Sequence, residues 1–293
     1  MGGNMARRLA SKNMSIALFD QDAVLTASLA SEIKAVAATS LADIVSKLAK
    51  PRVLWMMLPA GDITESTLTQ LQVLLDKGDT IVDGANSNYK DSVRRAAQSE
   101  ALGFNYMDAG VSGGVHGLAN GYCLMVGGSD AALASVRSYL EVLAPAANTG
   151  WLHAGPAGAG HFTKMIHNGI EYGMMAALAE GLSLIKAKKE FDIDLADVTE
   201  LWRHGSVVRS WLLDLTADTL KIDQSLDSIR AHVPDSGEGR WTVNESIEQG
   251  VPTPVMTMAL MSRFASQGAD DYASKLLAKM RQGFGGHAIT QAS

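Results

Sequence analysis

The chain has 293 residues, of which 47% are hydrophobic and 19% charged, a composition typical of a folded globular protein and not of a disordered one. It carries 25 Lys and Arg against 31 Asp and Glu, and the net charge of −6 argues against a general nucleic-acid binder. A single cysteine, Cys123, excludes a disulfide framework and a cysteine-built zinc site, and we expect no bound metal. The length predicts one large domain or two ordinary ones.

No stretch of the chain resembles a membrane span. The richest apolar runs, Val53–Leu58 and Met174–Ile185, are short or interrupted by charge, whereas a span needs about 20 apolar residues. The N-terminal residues lack the apolar run of a secretory signal. We therefore expect a cytoplasmic protein with no membrane partner.

The first half alternates short apolar runs with segments of helical periodicity. The predicted strands are Ser15–Phe19, Ala35–Ala38, Val53–Leu58, Thr80–Val82, Phe104–Asp108 and Tyr122–Val126. The predicted helices are Asp22–Ser31, Leu41–Leu48, Thr64–Leu75, Tyr89–Leu102 and Ala131–Leu143. Strands joined by helices of this length predict a parallel sheet, because a tight turn cannot connect two parallel neighbours.

The second half changes to a purely helical pattern. His161–Lys189 predicts a helix about 40 Å long. The further predicted helices are Leu195–Arg203, Val208–Leu220, Val243–Gly250, Pro254–Ser266 and Tyr272–Gln282. The predicted fold is α/β: a Rossmann-like doubly wound parallel sheet (residues 1–157, dinucleotide binding) followed by an all-α domain (158–293, substrate binding and dimerisation). We interpret the glycines of Gly155–Gly160 as a flexible junction between them.

Asp20 is the first indication of a cofactor. It ends a predicted strand eighteen residues after Gly2, and an acid about 20 residues past a glycine turn binds the ribose hydroxyls in dinucleotide folds. Asp20 and Asp22 flank Gln21 with no arginine nearby, so a 2′-phosphate would be repelled and NAD is favoured over NADP. The alternative is a surface aspartate that ends a strand, which is the commoner case for a motif this short.

A polar stripe opens the long predicted helix. Lys164, His167, Asn168 and Glu171 are separated by three, four and seven residues, so they share one helix face. The alternative is a solvated face with an ordinary ion pair. Apolar flanking residues and a position near the domain boundary, where clefts form, favour a functional site.

Two glycine-containing motifs follow predicted strands of the first domain. Asp83–Ser87 contains Asn86, and Gly110–Gly114 contains Ser112, Gly113 and Gly114. Both are expected at the carboxyl edge of a parallel sheet, where ligands bind, and the second exposes backbone N–H groups suited to a carboxylate or phosphate. Near the C-terminus, Arg281 and His287 flank a glycine-rich kink, for which a frayed basic tail is the alternative.

Taken together, these motifs resemble those of the 6-phosphogluconate dehydrogenase (decarboxylating) family in its short form. The resemblance is carried, in the family's order, by Asp83–Ser87, Val111–Gly114, Gly158–Gly173, Trp202–Ser210, Asp235–Thr242 and Arg281–His287. It implies oxidative decarboxylation of 6-phosphogluconate to ribulose 5-phosphate and CO2 in the pentose phosphate pathway. Hydride passes to NAD, with NADP as the alternative.

The resemblance also implies roles for individual residues. Lys164 is the expected general base for the 3-hydroxyl, with a lowered pKa, and Glu171 the expected acid for C1 of the enol, with a raised pKa. The substrate-positioning residues are Asn86, Ser112, Gly113, Gly114, His167 and Asn168. The residues expected at the phosphate are Tyr172, Arg240, Arg263, Arg281 and His287. The cofactor residues are Gly2, Asp20 and Asn86. Arg281 and His287 would reach a neighbouring subunit's site, which implies a homodimer or homotetramer.

The chain departs from the family pattern in two places. Ala85 stands where the family usually has a second glycine. The family's first strand and its Gly-x-Gly are not found before Gly2, so we expect an open slot beside Ser15–Phe19 and a collapse of dinucleotide affinity. Two alternatives follow: a β-hydroxyacid dehydrogenase of the 3-hydroxyisobutyrate type, and an inactive truncated remnant.

Overall fold

The computed structural model describes residues 1–268, 271–285 and 288. The chain divides into two compact units, Met1–Ile166 and His167–Ser293. The boundary predicted at residues 157 and 158 lies before this division, in the turn that precedes the long helix.

The first unit alternates strands and helices in the predicted order. Its strands are β1 (Ala17–Leu18), β2 (Val36–Ala37), β3 (Val53–Met56), β4 (Thr80–Asp83), β5 (Asn105–Ser112), β6 (Cys123–Gly128) and β7 (Trp151–Gly155). Its helices are α1 (Gly2–Ala10), α2 (Ala23–Ile33), α3 (Leu41–Ser46), α4 (Asp62–Gln72), α5 (Tyr89–Leu102), α6 (Gly117–Asn120) and α7 (Asp130–Leu143).

The strands form two separate sheets in the described part of the chain. β1 pairs with β2 in parallel, and the other five follow the order β3-β4-β5-β6-β7. β1 and β3 therefore share no ladder, which is the interruption expected beside Ser15–Phe19. β3, β4 and β5 are parallel, as predicted.

β6 runs antiparallel to β5, which the prediction of parallel strands did not anticipate. The connection between them holds only one 3-10 turn and the four-residue α6. A parallel crossover needs a dozen or more residues, so this connection returns the chain in the opposite direction. β5 also extends to Ser112, four residues past its predicted end at Asp108, because Gly110 and Val111 still pair with β6.

Both faces of the five-stranded sheet are covered by helices. Ile81 and Tyr106 pack toward Leu68 and Leu71 of α4. The next residue of each strand points to the opposite face, as the strand period of two requires. That face packs on α7 through Val82, Met107, Val126, Val136, Leu140 and Leu143. The predicted Rossmann-like α/β class is confirmed.

The second unit contains no strand among its described residues, in agreement with the prediction of an all-α domain. Helix α8 (Ala159–Ala187) has 29 residues and a length of about 44 Å. It begins in the first unit and continues into the second at His167. The others are α9 (Leu195–Trp202), α10 (Trp211–Ile222), α11 (Glu238–Gln249), α12 (Pro254–Ser266) and α13 (Asp271–Gly285). Leu182, Leu195 and Leu220 join α8, α9 and α10 in a small apolar cluster. Among the described helices, none is long and apolar enough to cross a bilayer.

The turn from β7 to α8 is tightly packed, so its interpretation as a flexible junction is wrong. A Cβ on Gly158 would lie 2.6 Å from Val93 Cγ2, and one on Gly160 would lie 2.5 Å from the carbonyl oxygen of Met125. Only glycine lets the backbone come this close. The prediction failed because β7, which ends at Gly155, was not recognised as a strand.

Candidate active site

Asp20 lies at the edge of a cavity of about 300 Å³ beside β1 and β2. Its backbone N–H donates to Thr26 Oγ1 (3.0 Å), and its carboxylate accepts the N–H of Asp22 (2.9 Å). The cavity is lined by Phe19, Asp20, Gln21, Ala23, Thr26, Ala27, Ala37, Ala38 and Thr39. These lining residues are mostly apolar, carry one carboxylate and include no Lys or Arg. Such a cavity fits the adenosine end of NAD.

Gly2 begins α1 close to the end of β3. A Cβ on Gly2 would lie 3.1 Å from Met57 Cβ, which is tighter than most Cβ contacts. The N–H groups at a helix N-terminus carry partial positive charge and bind phosphates well. Gly2 lies at such a helix start, and its contact with the cofactor stays a prediction.

The Asp83–Ser87 loop is anchored by a buried ion pair. Asp83 Oδ2 accepts hydrogen bonds from Arg95 Nη1 (3.0 Å) and from the Tyr106 hydroxyl (2.9 Å). Arg95 Nη1 also donates to Ser87 Oγ (3.2 Å), at the far end of the loop. Both ends of the loop are therefore held from beneath, and Asn86 between them is exposed.

Ala85 fits the loop without strain. Its N–H donates to Asp83 Oδ1 (3.1 Å), and it is not one of the described residues with a positive φ. Gly84 is the position that cannot change, because a Cβ there would lie 2.5 Å from both Met57 Sδ and Trp55 Nε1. The departure from the family's second glycine is thus accommodated by an ordinary backbone conformation.

Glu65 joins α4 to α5 beneath this loop, and its stability contribution depends on pH. Its carboxylate accepts hydrogen bonds from Arg94 (2.7 and 2.8 Å) and from Arg95 Nε (2.9 Å). The Arg94 hydrogen bonds lower the pKa of Glu65 from 4.5 to about 2, against the opposing effect of burial and with help from Arg95.

A carboxyl whose pKa is lower in the folded state stabilises the fold above its unfolded pKa and loses that contribution as the pH falls through the folded value. We expect Glu65→Gln to be less stable than wild type at neutral pH. The difference should shrink from about pH 4.5 and be fully lost only below about pH 2. Urea denaturation of both proteins across this range measures it, and a difference that stays constant with pH would contradict the assignment.

The Ser112–Gly114 turn leaves the end of β5 with two positive φ angles, +135° at Gly113 and +52° at Gly114. These values favour glycine at both positions. Ser112 is half-buried and Gly114 exposed. Successive N–H groups in such a turn can form a concave anion site, and the carboxylate or phosphate contact stays a prediction.

Lys164 lies on α8 against β5 and is 8% exposed. A Cβ on Gly110 would overlap Lys164 Cβ and would lie 3.1 Å from the carbonyl oxygen of Gly160. Gly110 therefore lets the stem of Lys164 pack directly on the strand that leads to Ser112. The first unit thus brings Lys164 to the strand from which the Ser112–Gly114 turn begins.

The other residues of the predicted stripe follow on the same helix, in the second unit. His167 Nδ1 lies 3.1 Å from Asn168 Oδ1 and 3.8 Å from Glu171 Oε2. The Glu171 side chain is 40% exposed. An imidazole, an amide and an accessible carboxylate within one helical turn can hold and protonate a polar substrate.

Of the predicted phosphate residues of the second unit, Arg263 and Tyr172 are in direct contact. The Arg263 guanidinium stacks 3.4 Å from the centre of the Tyr172 ring and donates to the carbonyl oxygen of Pro234 (2.9 Å). Arg240 forms an ion pair with Asp235 and stacks on Phe264. Both guanidiniums are already held by protein partners. Arg281 is exposed on α13, and His287 lies outside the described residues.

Sequence reasoning missed two acids and their partners. Glu238, 2% exposed at the start of α11, accepts a hydrogen bond from the Ser236 hydroxyl (2.6 Å), which lies 3.4 Å from the Tyr172 hydroxyl. Asp108 is fully buried within β5. A charged residue inside an apolar strand is a signal that could have identified Asp108, because an isolated buried charge is rarely tolerated.

A Rossmann-like sheet with a cavity at Asp20, followed by the long helix α8 that carries Lys164 and Asn168, is the architecture of a dinucleotide-dependent dehydrogenase. Residues 1–152 match the model for the NAD binding domain of 6-phosphogluconate dehydrogenase, and residues 160–290 match the model for its C-terminal domain. The chain belongs to the 6-phosphogluconate dehydrogenase family, as the resemblance predicted.

Individual relatives agree with this assignment. A Bacillus subtilis protein provisionally named a 6-phosphogluconate dehydrogenase is 42% identical, over 98% of this chain and 95% of its own length. The NAD(+)-dependent, decarboxylating 6-phosphogluconate dehydrogenase of Haloferax volcanii is 38% identical, over 99% of this chain and 96% of its own.

Solved structures agree at the level of the fold. The Plasmodium falciparum 6-phosphogluconate dehydrogenase, determined alone and with NADP+ or 6-phosphogluconate, superposes with a TM-score of 0.83 at 28% identity. All of this chain is covered, and it spans 64% of the Plasmodium chain. A Salmonella typhimurium 3-hydroxyisobutyrate dehydrogenase superposes with a TM-score of 0.76 at 21% identity, over 92% of this chain and 91% of its own. This likeness concerns the fold alone.

Proposed function

We propose that the chain oxidatively decarboxylates 6-phosphogluconate to ribulose 5-phosphate and CO2 with NAD as hydride acceptor. The observation that carries the proposal is α8, which presents Lys164, His167, Asn168 and Glu171 in a chain whose two halves match the two domains of this family. The gluconate 3-hydroxyl, carboxylate and phosphate each have chemically suited groups on the described residues.

Lys164 acts as the general base. In its neutral form it takes the proton of the 3-hydroxyl, which allows C3 to become a carbonyl. NAD, when bound, accepts the hydride that leaves C3. The new carbonyl lies next to the carbon that bears the carboxylate, so it can take up the electron pair left by CO2 as an enol. Packing on Gly110 keeps the Lys164 stem ordered, which limits the entropy lost in reaching this geometry.

Glu171 acts as the acid that protonates C1 of the enol. Its exposed carboxyl lies beside His167, and general acid catalysis of this kind contributes about 10²–10⁴ in rate. His167 and Asn168 orient the substrate hydroxyls and carboxylate, together with Asn86 and the N–H groups of the Ser112–Gly114 turn. Tyr172, Arg240, Arg263, Arg281 and His287 bind the phosphate end.

Gly2 and Asp20 bind the dinucleotide, with Asn86 at the nicotinamide end. We expect Asp20→Ala to raise the KM for NAD about 10- to 100-fold, since a hydrogen bond to a charged group contributes about 1.5–3 kcal/mol. The preference for NAD over NADP should fall because the repelling carboxylate is gone.

Steady-state kinetics with both coenzymes measures these effects. Asp130→Ala is the matched control, because Asp130 is an exposed aspartate in the first turn of α7 and does not line this cavity. An unchanged NAD to NADP ratio in Asp20→Ala would exclude Asp20 from the ribose site.

The protein works as a cytoplasmic homo-oligomer, a dimer or a tetramer, in which Arg281 and His287 complete a neighbouring subunit's site. Mixing inactive Lys164→Met with inactive Arg281→Ala tests this arrangement. Mixed oligomers that form after exchange of subunits should regain activity, because some sites then receive both intact residues. No recovery in oligomers shown to be mixed would contradict a shared site.

The substrate is tested by supplying 6-phosphogluconate and 3-hydroxyisobutyrate in parallel and following NADH and CO2. Release of CO2 in proportion to NADH, with 6-phosphogluconate only, is the expected result. Equal rates with the unphosphorylated acid and no CO2 would favour a 3-hydroxyisobutyrate-type enzyme. The absence of both NAD binding and turnover would favour an inactive remnant.

A further inference from the structure

Three buried polar side chains surround the start of α8 and take no part in the chemistry proposed for the site. Asp108 on β5 and Ser92 on α5 are fully buried, and His161 in the first turn of α8 is 1% exposed. Burial of polar groups is costly unless they are hydrogen-bonded, so their partners indicate what they do.

Asp108 binds the backbone at the point where β7 turns into α8. One carboxylate oxygen accepts the N–H of Gly158 (2.6 Å) and the other accepts the N–H of His161 (2.7 Å). The first N–H groups of a helix have no acceptor within the helix, and a carboxylate there is also favoured by the helix dipole. Asp108 therefore fixes the start of α8 to the strand that continues into Ser112.

His161 and Ser92 make a second connection to the same turn. His161 Nδ1 lies 2.7 Å from Ser92 Oγ. Ser92 lies in the first turn of α5, whose N-cap residue Asn88 directly follows the Asp83–Ser87 loop. His161 Nε2 is buried and makes no hydrogen bond to any described residue. An apolar side chain would avoid that cost, so the imidazole is justified by its contact with Ser92.

The first turn of α8 lies in direct contact with two strands. A Cβ on Gly160 would lie 2.7 Å from the carbonyl oxygen of Asp108 and 2.8 Å from the N of Gly127. Lys164 follows His161 by three residues, about one helical turn, so a displacement of the first turn would carry Lys164 with it.

We propose that Asp108 and the Ser92–His161 pair are positioning residues that hold Lys164 in register with the loops carrying Ser112 and Asn86. This inference rests on the role of Lys164 in the proposed function. The two connections reach α8 from different elements: Asp108 from β5, which leads to Ser112, and Ser92 from α5, which follows the Asn86 loop. Loss of either connection therefore allows Lys164 to move relative to one of these two loops, while the second connection remains intact.

Asp108→Asn is the first test, because an amide offers one acceptor where two N–H groups need one each. We expect kcat to fall about 10- to 100-fold, since a misplacement of about 1 Å can cost a factor of about 10². The KM for NAD should stay within about twofold.

Asp79→Asn is the matched control. Asp79 is also a buried carboxylate that accepts two backbone N–H groups, from Arg52 (2.7 Å) and Asp76 (2.9 Å), but it precedes β4 at the opposite end of that strand from the Asn86 loop. Both variants should lower Tm, and only Asp108→Asn should lower kcat per folded molecule. An unchanged kcat in folded Asp108→Asn would overturn the role of Asp108.

A pair of His161 variants tests the second connection, the contact between His161 and Ser92. These variants also test the proposal if Asp108→Asn does not fold. Asparagine places a polar atom near the position of Nδ1 and can keep the bond to Ser92, whereas leucine cannot. We expect His161→Asn to retain most of the wild-type kcat and His161→Leu to lose about tenfold or more. Equal losses in the two variants would show that the imidazole only fills space.

A readout that needs no turnover separates this inference from the proposed function. The rate of reductive methylation of Lys164, relative to exposed Lys189, is measured by peptide mass spectrometry in wild type, Asp108→Asn and His161→Leu. A changed relative rate in both variants supports positioning even if wild type does not oxidise 6-phosphogluconate. An unchanged rate in both would overturn the inference, whatever the substrate.

Discussion

Lys164→Met should lower kcat for 6-phosphogluconate oxidation by about 10²–10⁴, because the variant removes the base that takes the 3-hydroxyl proton. Methionine keeps an unbranched stem against Gly110, so the packing of α8 on β5 should be preserved. The KM for NAD should change little, since Asp20 and its cavity lie elsewhere in the first unit. Steady-state kinetics and a thermal melt of the same preparation separate lost chemistry from lost folding.

Lys189→Met is the control for a change of lysine to methionine as such. Lys189 is exposed just after the end of α8, and its replacement should leave kcat and Tm unchanged. Retention of more than about a tenth of the wild-type kcat by Lys164→Met would exclude Lys164 as an obligatory base, given the usual contribution of such a group.

Arg95→Met should destabilise the first unit by about 3–5 kcal/mol, because it leaves Asp83 as a buried charge without its cation. Arg95 is 1% exposed and Asp83 fully buried, so water cannot replace the lost partner. Ser87 also loses its donor, and the Asn86 loop should become less ordered. Urea denaturation measures the change in the free energy of unfolding.

The double variant Arg95→Met with Asp83→Asn tests whether the uncompensated charge is the cause. It should be more stable than Arg95→Met alone by about 1–3 kcal/mol, because removal of both charges removes the penalty while the amide keeps one acceptor. Arg94→Met, on the preceding residue of the same helix, removes a partly exposed ion pair with Glu65 and should cost less than about 1 kcal/mol. Similar losses for Arg94→Met and Arg95→Met would contradict a special role for burial.

Local patterns were enough to predict the elements that carry the site. The helix at Tyr89–Leu102 has the predicted bounds, and α8 begins two residues before its predicted start, because periodicity and capping depend on neighbouring residues. β7 was missed because Trp151–Gly155 is short and contains a histidine, and its strand character comes from pairing with β6. The direction of β6 likewise depends on the length of its connection and not on its own residues.

The residues of the candidate site also fall into two groups, those that local sequence patterns predict and those that depend on distant contacts. Lys164 and Glu171 could be identified because their spacing on one helix is a property of the sequence. The hydrogen bonds of Asp108 connect residues 50 and 53 positions apart, and the contact of Ser92 with His161 spans 69. No local pattern encodes such a separation. The partners of Arg240 and Arg263 could not be foreseen for the same reason, since each depends on how the helices of the second unit pack.

The small β1–β2 sheet has a consequence for how the cofactor acts on the protein. Only two residue pairs, Ala17 with Val36 and Leu18 with Ala37, hold its ladder, and in the described chain no other strand joins it. A ladder this short opens at little cost in free energy, so the segment that carries Asp20 lies at the low end of the protein's local stabilities. A dinucleotide in its cavity, at about a hundred times its Kd, would add about 2.7 kcal/mol to the closed form. The increase in hydrogen-exchange protection of these amides at a known coenzyme concentration therefore reports the Kd of the coenzyme.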